Sequence, residues 1–254
     1  MSTTKKHLTI LTGGSRGMGL AMGQQLLREG HSLVSIARKQ NEALTEAAAD
    51  GQHLQQWEQD LADSTGAAKR LTTLLNSLQG DDWASITLIN NAGVIPRMAP
   101  VWQIAAEDLV NSLRVGLEAP MALTSAFLAG TEGWSIPRKV LNISSGLGRK
   151  ALASQAAYCA AKAGMDNFTR SVALEEALKT NGAKLCALAP GVIDTDMQVQ
   201  MRGVSSAEFP DVGNFAALKE SGKLTSPADA AARVLAYLQR ADFGENPVAD
   251  VRDV

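Results

Sequence analysis

Histidine and cysteine are scarce in this chain of 254 residues. Histidine occurs at His7, His31 and His53, and cysteine at Cys159 and Cys186. These positions form neither a spaced His/Cys set for zinc nor a disulfide framework. We therefore expect no metal site, and catalytic groups must come from other residue types.

Charge of one sign, aromatic side chains and long apolar runs are also lacking. The 24 Lys and Arg nearly balance the 26 Asp and Glu, and aromatic residues make up 4% of the chain. This composition argues against a nucleic-acid partner. No apolar run reaches the roughly 18 residues of a membrane helix, and the first residues do not resemble a signal peptide. We expect a cytoplasmic protein without a membrane partner.

Short apolar runs alternate with longer helical patterns along the chain. The predicted strands are His7–Thr12, Ser32–Ala37, His53–Gln59, Ser85–Asn90, Lys139–Ser145 and Lys184–Ala189. The predicted helices are Gly17–Glu29, Asn41–Ala49, Ser64–Leu78, Ala105–Leu128, Gln155–Thr180 and Ser226–Gln239. This alternation predicts a single α/β domain over 1–254: a Rossmann-type, doubly wound parallel sheet with helices on both faces, in three α/β/α layers. Ligands of such sheets bind beyond the carboxyl ends of the strands.

A glycine-rich turn follows the first predicted strand. It reads TGGSRGMG over 12–19 and opens directly into a helix. Glycines let the backbone approach a pyrophosphate, and the free N–H groups at a helix start favour its charge. The alternative is a tight structural turn. The spacing resembles the TGxxxGxG signature of the short-chain dehydrogenase/reductase family, which implies cofactor contacts from Gly13, Ser15, Arg16, Gly17, Met18 and Gly19.

Four further motifs extend this resemblance over about residues 7–197. They are Asn90-Asn91-Ala92-Gly93, Ser145, the pair Tyr158 and Lys162, and Pro190-Gly191. The resemblance implies catalysis by Ser145, Tyr158 and Lys162, with Tyr158 and Lys162 also beside the cofactor. It further implies cofactor contacts from Asn91, Ala92, Gly93, Pro190, Gly191, Val192, Thr195 and Met197.

The end of the second strand bears on the choice of cofactor. NAD-selective sites place an acidic residue there for the ribose hydroxyls, whereas this chain has Ala37 and then Arg38. Arginine can hold a 2′-phosphate, and Arg16 resembles a second basic residue of NADP-preferring members. We expect NADP(H), the alternative being two solvated surface charges. Asp60 and Leu61 resemble the family's adenine-contacting pair, although Asp60 could instead cap the next turn.

Tyr158 is the predicted proton donor. An unperturbed phenol has a pKa of about 10, and Lys162 lies four residues later on the same helix face. We expect its positive charge to lower the pKa of Tyr158 and Ser145 to hydrogen-bond the substrate oxygen. The alternative is a structural tyrosine beside a surface lysine.

One position departs from the family pattern. Gly116 stands where the family carries an asparagine that links the lysine to water, and Asn111, five residues earlier, is expected to face elsewhere. This departure favours a non-catalytic NADP-binding regulator, while the intact Ser145, Tyr158 and Lys162 favour an enzyme.

The substrate end is predicted at about 194–222, a long irregular segment that would act as a lid. Its Met197, Met201, Phe209 and Phe215 suit a bulky carbonyl substrate, or plain packing. The stretch Pro190–Gln198 resembles the sepiapterin reductase/benzil reductase branch. This implies NADPH-dependent reduction of an aromatic or 1,2-dicarbonyl ketone, with an NAD(P)-dependent secondary-alcohol dehydrogenase or a 3-oxoacyl reductase as alternatives. The family also implies a homodimer or homotetramer through the predicted helices Ala105–Leu128 and Gln155–Thr180.

Overall fold

The computed structural model describes residues 6–49 and 52–253, which form one seven-stranded parallel sheet. The first five residues, part of the stretch expected to carry no signal peptide, lie outside the described residues, as do 50, 51 and 254. The sheet order is β3-β2-β1-β4-β5-β6-β7. Because the order reverses beside β1, a crevice opens between β1 and β4 at their carboxyl ends. The strands are β1 (Lys6–Thr12), β2 (Ser32–Ala37), β3 (Leu54–Glu58), β4 (Trp83–Asn90), β5 (Arg138–Ile143), β6 (Lys184–Ala189) and β7 (Val248–Asp250).

Helices cover both faces of the sheet. Because both faces are buried, the central strands are almost continuously apolar, and all six residues of β2 are buried. Alternate residues of β1 point to opposite layers: Ile10 packs with α3, α5 and α6, and Leu11 packs with α1 and α9. The predicted three-layer α/β/α fold is confirmed. The helices are α1 (Gly17–Arg28), α2 (Glu42–Ala47), α3 (Ser64–Asn76), α4 (Ala106–Leu113), α5 (Ala119–Gly130), α6 (Ala156–Ala177), α7 (Asp196–Arg202), α8 (Val212–Glu220) and α9 (Pro227–Gln239).

The predicted helix Ala105–Leu128 is interrupted. A π-helical segment, Arg114–Glu118, separates α4 from α5. Pro120 has no N–H to donate to the carbonyl four residues before it, at Gly116, and glycine itself disfavours a regular helix. These two residues account for the wider turn.

Two further predictions are corrected. The 194–222 segment, expected to be irregular, contains α7 and α8, whose seven and nine residues are too short for a clear apolar period. The three-residue strand β7 was not predicted, because it is shorter than any pattern that periodicity can detect. Within the described residues, no helix is long and apolar enough to cross a membrane, and no three His, Cys, Asp or Glu side chains are grouped as metal ligands.

Candidate active site

A cleft of about 1000 Å³ lies at the carboxyl ends of the strands. Every residue predicted to act in catalysis or to contact the cofactor lines it, although the predictions came from loops that are distant in sequence. The individual roles stay predictions. The lining residues among them are Gly13, Ser15, Arg16, Gly17, Met18, Gly19, Arg38, Asp60, Leu61, Asn91, Ala92, Gly93, Ser145, Tyr158, Lys162, Pro190, Gly191, Val192, Thr195 and Met197.

Hydrogen bonds hold the glycine turn after β1 against the loop after β4. The Thr12 hydroxyl accepts hydrogen bonds from the backbone N–H groups of Asn91 (2.9 Å) and Ala92 (3.0 Å), and Asn91 Nδ2 donates to the Thr12 carbonyl (3.0 Å). The approach leaves no room for a side chain: a Cβ on Gly13 would lie 2.9 Å from the Ala92 Cα, and a Cβ on Gly19 would lie 2.5 Å from Asn91 Nδ2. Small residues are therefore required here by the packing of two loops.

The start of α1 fits a bound pyrophosphate. Arg16 is extended at the N-cap, and no side chain caps the first turn of this 12-residue helix. The first helix residues, Gly17, Met18 and Gly19, line the cleft and carry no acidic side chain, so their N–H groups and the positive end of the helix dipole favour an anion there. The sequence missed Asn41, which fixes the turn by donating from Nδ2 to the Ser15 carbonyl (2.8 Å). An asparagine immediately before a predicted helix is the pattern that could have identified it, because Asn41 Oδ1 also caps α2.

The basic residues beside β2 differ in their surroundings. Arg38 is exposed and lines the cleft. Arg16 pairs with Asp196 at 3.2 Å, and both side chains are largely exposed.

Asp60 lines the cleft and also caps the following turn, since its Oδ1 accepts from the Ala62 N–H at 2.9 Å. The turn-capping interpretation of Asp60 is thus correct, and its adenine contact stays a prediction.

Ser145, Tyr158 and Lys162 form one cluster in the cleft. Ser145 follows β5 rather than ending it, and its hydroxyl hydrogen-bonds the Tyr158 phenol. Lys162 is buried on α6, one turn after Tyr158, and donates from Nζ to the Ile143 carbonyl at 2.7 Å. Its Nζ lies 5.7 Å from the centroid of the Tyr158 ring. The surface-lysine alternative is therefore wrong.

The pKa of Tyr158 moves in the direction opposite to the prediction. Burial raises it above the usual value of a phenol, and the hydrogen bond from Ser145 only opposes this shift. Lys162 does not reverse the sign, because burial also lowers the pKa of its ammonium to about 8. The surrounding protein disfavours charge on both groups, and a pKa above the usual value of a phenol keeps Tyr158 protonated at neutral pH.

Asp166 is a buried carboxylate that the sequence analysis missed. It lies on α6 one turn beyond Lys162, and its Oδ1 accepts a hydrogen bond from the buried Ser144 hydroxyl. Burial raises the pKa of Asp166, while its charge raises the pKa of Lys162. The four-residue spacing between Lys162 and Asp166 could have identified this residue, because it places both side chains on one helix face.

The segment that contains Asn111 and Gly116, where the chain departs from the family pattern, corrects one further prediction. Gly116 is buried, and a Cβ there would meet only Ala161, at 3.2 Å from its Cβ. Asn111 lines the cleft, as does Val115 four residues later, so the prediction that Asn111 faces elsewhere is wrong. Asn111 lies on α4, and Val115 lies in the π-helical segment that follows it.

The 194–222 segment forms the apolar wall of the cleft. Met197, Met201, Phe215 and Leu218 line it. Phe209 does not: it is fully buried and packs with Met98 and Met201 outside the cleft. Phe209 is thus a packing residue, which corrects its place in the predicted substrate wall.

Charged residues that belong to no recognised motif also line the cleft. Arg149 and Lys150 follow β5, and Asp250, Arg252 and Asp253 come from β7 and the residues after it. Arg252 pairs with Asp250 at 2.6 Å and lowers the pKa of that carboxyl. No sequence signal connects these residues, because β7 brings them to the site only through its pairing with β6.

Comparison with known proteins agrees with this geometry. A family model described as short chain dehydrogenase matches residues 7–204. Benzil reductase ((S)-benzoin forming) of Bacillus cereus is 38% identical over 94% of this chain and 96% of its own length. The NADPH-dependent pterin aldehyde reductase of Arabidopsis thaliana is 30% identical over 82% and 84%, respectively. The crystal structure of a metagenomic short-chain oxidoreductase in complex with NADP is 25% identical, with a TM-score of 0.69 over 96% of this chain and 94% of that one.

These matches cover most of the chain at both the sequence and the fold level. They confirm the resemblance to the sepiapterin reductase/benzil reductase branch. The chain belongs to the short-chain dehydrogenase/reductase family, whose members are oxidoreductases that bind a nicotinamide cofactor.

Proposed function

We propose that this protein is an NADPH-dependent carbonyl reductase that acts on an aromatic or 1,2-dicarbonyl ketone. The observation that carries the proposal is the cluster of half-buried Tyr158 with Ser145 and the buried Lys162 in a cleft with an apolar wall. The identity with a benzil reductase supports this substrate class. The NADPH-dependent relative and Arg38 support the cofactor.

The cofactor would be held by backbone and side chains at the strand ends. The first turn of α1 would bind the pyrophosphate, Arg38 and Arg16 the 2′-phosphate, and the Asn91–Gly93 turn would run alongside. Val192 and Thr195 would hold the nicotinamide end. When bound there, NADPH supplies the hydride that reduces a carbonyl carbon.

The protein's own task is to deliver a proton to the carbonyl oxygen. Tyr158 donates its phenolic proton to that oxygen as the new C–H bond forms, so the product is an alcohol and Tyr158 becomes a phenolate. Ser145 donates a hydrogen bond to the substrate oxygen as negative charge develops there. The Lys162 ammonium, 5.7 Å from the ring centroid, stabilises the phenolate. The raised pKa of Tyr158 keeps the proton available for reduction at neutral pH.

The 194–222 segment would act as the lid of the proposed single domain. It carries the apolar side chains of the cleft and is tied to the Gly17 end of the cleft by the Arg16–Asp196 pair. Met197, Met201 and Phe215 would exclude water and contact the substituents of the ketone.

A second copy of this chain is the proposed partner. Exposed apolar side chains lie on α4, α5 and α6, including Val110 (45% exposed), Met121 (40%) and Leu174 (72%). A shallow groove on α4 and α5 is lined by Val110, Leu113, Leu117 and Met121, and Leu117 also packs against Gly164 of α6. A homodimer or homotetramer that buries this face would remove these side chains from water.

A cofactor-oxidation assay tests the activity. Purified protein with NADPH should reduce an aromatic 1,2-diketone faster than a simple aliphatic ketone or a 3-oxoacyl thioester, as followed by loss of NADPH absorbance. Tyr158→Phe should lower turnover by at least about 100-fold, the contribution of a general acid. Tyr237→Phe, at the other tyrosine of the chain, should keep wild-type turnover. Tight NADPH binding without turnover of any carbonyl would instead support the regulator.

A further inference from the structure

Gln198 is a buried amide in the apolar wall of the cleft. It lies on α7, is 6% exposed and lines the cleft. Among residues 6–49 and 52–253, its Oε1 has no hydrogen-bond partner, and its Nε2 contacts the Met201 sulfur at 3.7 Å. A thioether is a weak acceptor, so the protein leaves both ends of this amide poorly satisfied.

The surroundings of Gln198 make such an amide costly. From Met197 to Leu218, the other side chains that line the cleft are apolar: Met197, Met201, Phe215 and Leu218. A buried polar atom without a partner destabilises a fold, and a methionine at position 198 would fill similar space without this cost. A ligand that pairs with the amide accounts for its presence.

We propose that Gln198 is a specificity-determining residue that hydrogen-bonds a second oxygen of the substrate, adjacent to the carbonyl that is reduced. The inference rests on the proposed carbonyl reductase function. The Nε2 of Gln198, which contacts only a weak thioether acceptor, can donate to the remaining keto oxygen of a 1,2-dicarbonyl, and Oε1 can accept from the hydroxyl of an α-hydroxy ketone. A monoketone would leave the buried amide unpaired, which a site of this kind disfavours.

The competing partner of Gln198 is the cofactor. The Gln198 N–H donates to the Thr195 carbonyl at 2.9 Å, so the two residues lie one helical turn apart. Thr195 belongs to the proposed nicotinamide end. If Gln198 held the cofactor, its substitution would change the KM for NADPH with every substrate. If it binds the second oxygen of the ketone, its substitution would change kcat/KM for a diketone and not for a monoketone.

Gln198→Met tests the inference with two matched ketones. The substrates are 1,2-diphenylethanedione and 1,2-diphenylethanone, which share both rings and differ in the second oxygen. The substitution should lower kcat/KM for the diketone about tenfold, the contribution of one neutral hydrogen bond, and change it less than about twofold for the monoketone. The KM for NADPH should stay constant. The Tm should stay equal or rise, because the variant removes an unpaired buried group. Gln200→Met, at an exposed glutamine of the same helix, is the matched control and should change none of these values.

Four results would overturn the inference. Equal losses for the diketone and the monoketone would show that Gln198 does not read the second oxygen. A raised KM for NADPH would assign the amide to the cofactor, and a lowered Tm with loss of all activity would assign it to the fold. A wild-type protein that reduces neither ketone would refute the proposed function and, with it, a substrate role for Gln198.

Discussion

Arg38 determines the expected preference for NADPH over NADH. It follows β2, is exposed and lines the cleft, and within the described part of the chain it forms no hydrogen bond or ion pair. Its guanidinium can therefore bind a 2′-phosphate without first giving up a protein partner. A hydrogen bond to a charged group contributes about 2 kcal/mol. Arg38→Ala should thus lower kcat/KM with NADPH about 30-fold, and less than about twofold with NADH, which has no 2′-phosphate.

Arg16 should contribute less to the same preference. It pairs with Asp196 at 3.2 Å, with side chains 67% and 78% exposed. Such a surface pair stabilises a protein by about 0.2–1 kcal/mol, and Arg16 must give it up to reach the phosphate. Arg16→Ala should therefore lower kcat/KM with NADPH about tenfold, less than Arg38→Ala. Asp196→Ala, which frees Arg16, should raise it about twofold.

The assay compares kcat/KM for both cofactors at one saturating ketone concentration and constant ionic strength. Lys39→Ala is the matched control, because Lys39 is an exposed neighbour with the same charge that does not line the cleft. Equal losses with NADPH and NADH in Arg38→Ala would refute a phosphate contact. A loss of the same size in Lys39→Ala would replace it with a general effect of surface charge. A wild-type protein that prefers NADH would refute the proposed cofactor itself.

Three further predictions concern the catalytic cluster and the glycine turn. Burial lowers the pKa of Lys162 to about 8, so its ammonium is present below that pH and lost above it. The kcat/KM for reduction should therefore fall as pH rises through 8. A kcat/KM that stays level across that pH would contradict this role of Lys162. Asp166→Asn removes a charge that raises the pKa of Lys162, so the decline should move to lower pH, and an alkaline shift would exclude the coupling. Gly19→Ala places a Cβ 2.1 Å from the Gly13 carbonyl oxygen and should lower the free energy of unfolding by about 1–3 kcal/mol and weaken NADPH binding. In thermal denaturation its control is Gly213→Ala, where a Cβ meets nothing within 4 Å and the Tm should not fall.

The motifs that follow a strand were correctly predicted to meet at one edge of the sheet, while their roles stay predictions. Parallel strands end at one edge of the sheet, so loops distant in sequence meet there without any signal between them. Thr12 and Asn91 are 79 residues apart and form a hydrogen bond. The turn after β1, the turn after β4 and the two segments after β5 and β6 were therefore placed together by fold class alone.

Residues outside these strand ends could not be found in this way. Gln198 lies on a seven-residue helix and Asp250 on a three-residue strand, both too short for a periodic signal. The orientation of Asn111 was misjudged because it depends on how α4 sits over the cleft. For Gln198 the informative quantity is the missing partner of its Oε1, and a missing partner exists only once the surrounding side chains are in place.

The proximity of Tyr158 and Lys162 was predicted correctly, but the direction of the shift in the Tyr158 pKa was not. The spacing of Tyr158 and Lys162 predicts their proximity, and the 5.7 Å between Nζ and the ring centroid agrees. The sign of the shift, however, is a difference between attraction to the ammonium and the loss of water around the phenol. Burial also lowers the pKa of the ammonium, so the group expected to provide the attraction is itself close to losing its charge. The same protein surroundings raise the pKa of Tyr158 and lower that of Lys162, and Asp166, whose charge raises the pKa of Lys162, should therefore extend the reaction to higher pH.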